Sequence, residues 1–388
     1  MKIVIAFAVS LLTLLISCQP RSVDLLQTEI DGIAQRMVPD KRVGICNFTL
    51  VKGKTNEIVL RGESMFPDAT TEVLQLLKSK DITVIDSVVI LPDTIHIEKN
   101  WGVVSLSVAN LRTKPAHSAE LASQAIMGTP VRILKEADGW LLIQTPDQYI
   151  SWTNATSVQP MSRLEISNWR NADRIIYMDT YGTISGDSKL STVVSDLVAG
   201  AIVVRKSENK TIAEITLPDG RSGYVSTLNW LNLKQWKDTV QLIPDKLIVT
   251  GKQFLGFPYL WGGTSSKGID CSGFVKTVCF LNGVVLERDA SQQVKHGKDI
   301  DISSGWDQLQ KGDLLYFGSK DPFRATHTGI YIGDSELIHS SGSVRINSFD
   351  PKRENYSKHL SSILIGAKRI IGIPSEQGDL PIKLHSWY

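Results

Sequence analysis

The chain has 388 residues, of which 42% are hydrophobic and 21% charged, with a formal net charge of +2. That length allows two or three domains, and the composition is that of a globular protein. A balance so close to neutrality gives no support to nucleic acid or acidic membrane surfaces as partners.

Lys2 is followed by IVIAFAVSLLTLLI, an apolar or small run of 14 residues broken only by Ser10 and Thr13. A spanning helix needs about 20 residues. The run instead fits the apolar region of a secretory signal. It ends in Leu15-Ile16-Ser17-Cys18, which resembles a bacterial lipobox. The expectation is a lipoprotein signal peptide over 1–17 and lipidation of Cys18. The protein would then be exported to the cell envelope, held to a membrane by its lipid and facing the periplasm.

Residues 23–37 and 68–79 have helical spacing. Residues 43–51, 56–61 and 82–91 read as strands, the first two around Lys52-Gly53-Lys54. They make a small α/β unit over 18–97 in which no chemistry is visible.

Residues 98–235 hold an internal repeat. GTPVRILKEADGWLLIQTPD begins at Gly128 and GAIVVRKSENKTIAEITLPD at Gly200, an offset of 200 − 128 = 72 without gaps. Ser123 then meets Ser195, Val131 meets Val203, Ile143 meets Ile215 and Asp147 meets Asp219. Each copy reads as short strands between polar or glycine turns. Two small β-barrels follow, over 98–160 and 161–238.

The pattern changes near residue 240. KLIVTGKQFLG (246–256) and FVKTVCFLNG (274–283) have helical spacing. DLLYFG (313–318), HTGIYIG (327–333), ELIHSS (336–341), SVRINSF (343–349) and ILIGAKRI (363–370) read as strands. Helices first and an antiparallel sheet after make an α+β domain, placed at 239–375 with a tail at 376–388.

Four cysteines need a reason: 18, 46, 271 and 279. Cys271 and Cys279 are eight apart on one helix, about 12 Å along its axis, too far for a disulfide. Cys46 and Cys279 have apolar surroundings and read as packing. Cys271 opens its helix after the small, polar loop GGTSSKGID. Unpaired N–H groups and the positive end of the helix dipole there favour thiolate, the nucleophilic form. A base is at hand. His327 and His339 lie on strands joined by Gly333-Asp334-Ser335, short enough for a hairpin, so the two rings can meet. One can act as base and the other can orient it.

YLWGG (259–263), DCSGF (270–274), HTGIYIG and LIHSSG (337–342) occur in an order and spacing that resemble the NlpC family of papain-like cysteine peptidases, over about residues 245–372. NLRTKPAHSAE at 110–120 and YISW at 149–152 resemble bacterial SH3-like domains, and GYVSTLNW at 223–230 resembles them more weakly. The combination is similar to the γ-D-glutamyl-L-diamino acid endopeptidases, or dipeptidyl-peptidases VI, of cell-wall peptides. This implies an α+β chain with a papain-like C-terminal catalytic domain behind two SH3-like barrels and a small N-terminal α/β unit. The activity implied is cleavage of the γ-D-Glu–diamino acid amide in peptides with a free N-terminal L-Ala, by a monomer that uses no cofactor and no metal.

Carried over residue by residue, the resemblance makes Cys271 the nucleophile, His327 the general base and His339 the orienting residue. Tyr259 would help hold the oxyanion and substrate. Asp270 would bind the L-Ala amine, and Ser272 and Ser291 would contact the γ-D-Glu. Glu120 and Tyr149 of the first SH3-like domain would close the far end of the groove. Glu287 stands where relatives often carry proline, and Arg288 reads as structural. Three other readings compete. A zinc site on Cys271, His327 and His339 lacks the short ligand spacing of zinc motifs. A non-catalytic peptidoglycan-binding protein would have no need of all three residues. A papain-like amidase or acyltransferase would have no use for Asp270 and Glu120 beside the thiol.

Overall fold

The computed structural model of the chain describes residues 20–54, 57–303, 305–374 and 380–388. The apolar leader and Cys18 lie outside them. The chain divides into two units, one formed by residues up to Lys41 with Ile45–Ile90, the other by Arg42–Gly44 with Leu91–Tyr388.

In the first unit, helix α1 (Pro20–Met37) is followed by β1 (Cys46–Lys52), β2 (Ile58–Ser64), helix α2 (Pro67–Ser79) and β3 (Val84–Ile90). β1 pairs antiparallel with β2, and α2 carries the chain over to a parallel β3. Ala69, Val73 and Leu77 recur at helical spacing and meet Ile30, Phe48 and Leu60 in a closed core. Cys46 belongs to this core, as its apolar neighbours imply.

The second unit opens with the repeat. The first copy holds β4 (Trp101–Val104), β5 (Val108–Arg112), β6 (Leu121–Ile126), β7 (Pro130–Ala137), β8 (Trp140–Gln144), β9 (Ile150–Asn154), β10 (Val158–Met161) and helix α3 (Arg163–Asn171). The second holds β11 (Arg174–Tyr177), β12 (Tyr181–Ser185), β13 (Val193–Val198), β14 (Ile202–Glu208), β15 (Ile212–Thr216), β16 (Ser222–Ser226), β17 (Trp230–Asn232) and helix α4 (Leu233–Thr239). The sheets run β10-β4-β7-β8-β9-β5-β6 and, read from its other edge, β17-β11-β14-β15-β16-β12-β13. The order is the same in both. The 72-residue shift carries β6, β8 and β9 onto β13, β15 and β16 residue for residue. The cores correspond too. Val131 and Ile143 of one match Val203 and Ile215 of the other, while Ala125/Leu141 become Leu197/Ala213. Large and small residues exchange places, so the core volume is kept.

The C-terminal domain contains α5 (Pro244–Lys252), β18 (Thr264–Ser265), β19 (Gly268–Ile269), α6 (Cys271–Leu281), β20 (Val284–Val285), α7 (Ala290–Gln293), β21 (Lys298–Asp299), β22 (Leu314–Lys320), β23 (Phe323–Gly333), β24 (Glu336–Ser341), β25 (Ser343–Ser348), α8 (Lys358–Ile363), β26 (Leu364–Arg369) and β27 (Leu380–Pro381). Six strands form the sheet β21-β26-β22-β23-β24-β25, with the named neighbours antiparallel. Alternation along the strands decides the layers. Leu314, Tyr316, Ile330 and Ile338 face α6 with Phe274, Val275 and Val278, while Leu315, Phe317, Tyr331 and Leu337 fill a second core with Phe349. Each such side chain contributes about 1.5–3 kcal/mol on burial. This is an α+β fold whose central helix is buried along nearly its whole length.

α5 is shorter than its apolar spacing implies. It ends at Lys252, and the chain turns before Gly256, whose φ is +85°. Phe254 is fully buried all the same, against Phe257 and Phe274, which is why the periodic signal outruns the helix.

The first barrel is docked on this domain through β6. Gln124 accepts from Thr264 N at 3.0 Å and Ser265 Oγ at 2.9 Å, and its carbonyl accepts from Thr264 Oγ1 at 2.9 Å. Gly262 has φ +80°, and a Cβ there would lie 2.3 Å from Leu121 O. Buried Asp147 pairs with Lys276 of α6. Residues 380–388 are packed rather than free. β27 pairs with β20, and His385 Nε2 donates to Pro146 O at 2.9 Å.

Candidate active site

Asp270 is the N-cap of α6, and its Oδ1 accepts from Gly273 N at 2.7 Å. This puts Cys271 at the first helical position. Gly273 is required here, because a Cβ would sit 2.0 Å from Gly263 O. The backbone N–H groups of Thr328 and Ser272 act on the Cys271 thiol in favour of its charged form. Thr328 follows His327 directly, so the helix start and the histidine strand meet at the thiol.

The histidines form a relay. β23 and β24 are joined by a two-residue turn, Asp334-Ser335, with φ of +51° and +61°. The pairing of Ile330 with Ile338 brings His339 opposite Gly329 and leaves His327 diagonal to it. A Cβ on Gly329 would lie 2.8 Å from the His339 Cβ. Its absence lets the two rings meet edge to face at 5.0 Å, with His327 Nε2 2.8 Å from His339 Nδ1. His339 Nε2 lies 2.9 Å from Asn347 Oδ1 on β25, and Asn347 Nδ2 donates to Asn355 O at 3.0 Å.

That last carbonyl can only accept, and it fixes every proton upstream. Asn347 turns its oxygen to His339, so His339 Nε2 carries the hydrogen. Neutral His339 then accepts at Nδ1, so His327 donates from Nε2. His327 Nδ1 is left as the basic lone pair.

The electrostatics correct one expectation. The helix start was expected to favour thiolate. Burial, followed by the Asp270 charge, instead pushes the Cys271 thiol up to about 11, against the opposing pull of the Thr328 and Ser272 N–H groups and Arg288. Cys271 is only 7% exposed, and desolvation outweighs the dipole. Burial, then the His339 and His359 charges, holds His327 down to about 3. Thiol and imidazole are both neutral at rest, and charge has to be created on the two together. Tyr259 is pushed up to about 12, first by burial and then by the Cys271 and Asp270 charges, so its hydroxyl stays a donor beside the thiol.

Asp270, Cys271, Ser272, Tyr259, Ser291, Glu120 and Tyr149 all line one cleft of about 370 Å³. Glu120 accepts from Trp261 Nε1 at 2.8 Å, so the first barrel and the YLWGG loop close a wall together. Tyr149 is buried and shares the cleft lining with Asp289. His327 and His339 both stand outside the cleft lining, His327 directly after the lining residue Thr326 and His339 behind it.

Asp270 has both oxygens engaged. Oδ2 accepts from Gly262 N at 2.9 Å and Arg288 Nη2 at 2.6 Å, and Oδ1 also takes Arg288 Nη1 at 3.2 Å. Arg288, read from sequence as structural, is 1% exposed and part of the cleft floor; its Nη1 also donates to Ser272 Oγ at 2.9 Å. Three site residues escaped sequence reading. Asn347 was detectable as the one amide of β25, on the strand next to His339. Trp261 and Arg42 gave no signal, because their partners lie 141 and 249 residues away.

Residues 256–364 match the NlpC/P60 family, and residues 111–158 match the bacterial dipeptidyl-peptidase SH3 domain. The chain carries an NlpC/P60 domain behind a bacterial dipeptidyl-peptidase SH3 domain. NlpC/P60 domains are peptidases of the cysteine class, and this one presents its thiol accordingly. Dipeptidyl-peptidase 6 of Lysinibacillus sphaericus is 28% identical over 277 residues, which is 68% of this chain and 97% of that one. The γ-D-glutamyl-L-lysine dipeptidyl-peptidase of Bacillus cereus is 36% identical over 140 residues, 36% of this chain and 41% of its own length. A crystal structure of an NlpC/P60 family protein from Bacillus cereus covers 69% of this chain and 99% of its own, with a TM-score of 0.59 at 23% identity, a likeness of fold.

Proposed function

We propose that this NlpC/P60 domain is a cell-wall peptide hydrolase. It cleaves the amide between γ-D-Glu and a diamino acid in peptides with a free N-terminal L-Ala, and releases L-Ala-D-Glu. The observation that carries this is a thiol, with a histidine relay on the adjoining strands, in a cleft whose far end is walled by Glu120, an exposed carboxylate contributed by a different domain. A carboxylate at a closed end suits an ammonium group, with the Asp270 charge behind it. The dipeptidyl-peptidase relatives support the same reading.

His327 Nδ1 takes the Cys271 proton as the thiolate attacks the γ-carbonyl carbon. Tyr259 donates to the oxyanion that forms. Collapse breaks the C–N bond, and the diamino acid leaves with the proton returned by His327. Water then attacks the thioester, giving its proton to His327, and collapse frees L-Ala-D-Glu and the thiol. Ser272 and Ser291 hold the D-glutamyl residue.

We also propose export with lipidation of Cys18, motivated by the lipobox-like sequence; loss of the lipid mass in Cys18→Ser is the expected outcome, and an unchanged mass refutes it. The test of activity is mass spectrometry of the purified protein with L-Ala-γ-D-Glu-L-Lys and the corresponding meso-diaminopimelate peptide, each bare and N-acetylated, beside Cys271→Ala. Release of L-Ala-D-Glu from the bare peptides alone, lost in the variant, is expected. Equal cleavage of acetylated peptides would remove the wall from the reading. Cleavage of neither would remove the activity.

A further inference from the structure

A second cavity, of about 350 Å³, lies away from the cleft, where α3, β11, α4 and residues 382–388 meet. Its lining includes Arg170, Arg174, Lys234, Lys237 and Lys383, with Asp238 the one acidic residue. Among the described residues, no aspartate or glutamate forms an ion pair with any of the five cations. Their hydrogen bonds go to main-chain oxygens instead. Arg170 Nε donates to Trp387 O at 3.1 Å, Arg174 Nη2 to Arg170 O at 2.7 Å and Lys237 Nζ to Tyr388 O at 2.7 Å.

Arg174 is the anomaly. It is 6% exposed, yet its Nε and Nη1 have no hydrogen-bond partner, and neither has Nη2 of Arg170. Each guanidinium lies over an indole, Arg174 on Trp169 at 4.3 Å and Arg170 on Trp101 at 4.7 Å. Stacking engages the face of the cation and leaves its in-plane N–H groups unused. Burial, followed by the Arg170 charge, brings Arg174 down to about 10. Lys237 is lowered too, by burial and then by the Arg174 charge. Buried donors without acceptors are costly, and like charges beside them add to the cost. An acceptor bound in the cavity would relieve both.

We propose that this cavity binds a phosphoryl group, either free phosphate or the phosphate of a small organic monoester. The site is separate from the peptidase cleft and does not depend on the reading of that cleft. A phosphate monoester carries about −1.5 to −2 of charge at neutral pH and three strong acceptor oxygens. Guanidinium edges match such oxygens in pairs, and lysines add mobile point charges around them. Five cations against one carboxylate suit a dianion better than a single carboxylate. The volume falls within the roughly 300–1,000 Å³ of small-molecule sites, which leaves room for an organic portion. Occupancy would tie α3, β11, α4 and residues 382–388 together, so the ligand would stabilise this part of the chain.

The test is isothermal titration calorimetry of the full protein with inorganic phosphate, glycerol 3-phosphate and acetate. Sodium chloride at about 0.15 M screens diffuse attraction beyond about 8 Å. The variants are Arg174→Met, the double variant Lys234→Gln with Lys383→Gln, and Lys352→Gln as an exposed cation outside the cavity. A Kd for phosphate below about 1 mM is expected, with acetate roughly tenfold weaker or worse. Arg174→Met should weaken phosphate roughly tenfold or more, the double variant about fivefold, and Lys352→Gln not at all. Lys234 and Lys383 are exposed, so the double variant decides alone should Arg174→Met not fold. Tighter binding of glycerol 3-phosphate assigns the site to an organic phosphate; equal or weaker binding assigns it to free phosphate. No binding of either phosphate below about 10 mM, acetate as tight as phosphate, or unchanged binding in the double variant or in folded Arg174→Met would each overturn the proposal.

Discussion

Replacing Arg288 by methionine strands a carboxylate. Asp270 is 6% exposed and Arg288 1%, and two guanidinium nitrogens reach its two oxygens at 2.6 and 3.2 Å. Without them Asp270 keeps only the Gly262 and Gly273 N–H groups and the weak Ser272 contact at 3.4 Å. Removing one partner of a buried pair costs about 3–5 kcal/mol, a large share of the roughly 5–15 kcal/mol that holds a domain together. The pair need not be favourable overall for this to hold, because the loss is that of an uncompensated charge. The adding of Asp270→Asn to Arg288→Met should therefore recover most of the stability, whereas Asp270→Asn alone strands the guanidinium. Urea unfolding of the four proteins would measure this, with hydrogen exchange of residues 256–281 to locate the effect. A loss below about 1 kcal/mol in Arg288→Met, or a double variant no better than the single one, would refute the reasoning.

Three further outcomes follow from the site. The thiolate absorbance near 240 nm that Cys271→Ala removes should be absent at neutral pH and rise only as pH approaches about 11; a full band at pH 6 would contradict the dominance of burial. His327 is held from 6.5 down to about 3, so the unfolded chain binds its proton first. Stability is then fully present above about pH 6.5 and lost as pH falls toward 3, with a slope of about 1.4 kcal/mol per pH unit that His327→Gln should remove. Asn347→Ala should lower kcat roughly tenfold with little change in KM, since it frees the tautomers of both histidines; an unchanged kcat would show that the relay does not orient the base.

Much of this was legible because it is local. Alternation located β22 to β26, and self-comparison located both barrels, since a strand of five residues leaves a pattern of period two. The hairpin between the histidines could be read from three residues. What escaped depends on distance or on competition. Nothing in Arg42 points to Ser291, and nothing in Trp261 points to Glu120. At Cys271 the residue pattern displays the helix start, which lowers the thiol's affinity for its proton, but not the burial that outweighs it. Arg288 reads as structural because its position shows no ligand, while its partner Asp270 is what caps the catalytic helix.

The two barrels also record what one sequence becomes under two constraints. At the 72-residue shift, Asp147 and Asp219 are the same position, yet the first is buried against Lys276 and the second pairs with Arg221 at the surface. Glu120 corresponds to Thr192, and Tyr149 to Arg221. A duplicated module thus kept its framework twice and lent residues to the cleft once, although Asp196 and Ala199 of the second copy also meet the peptidase domain. The second copy is an internal control for the first, displaying the same fold without the demands of a groove.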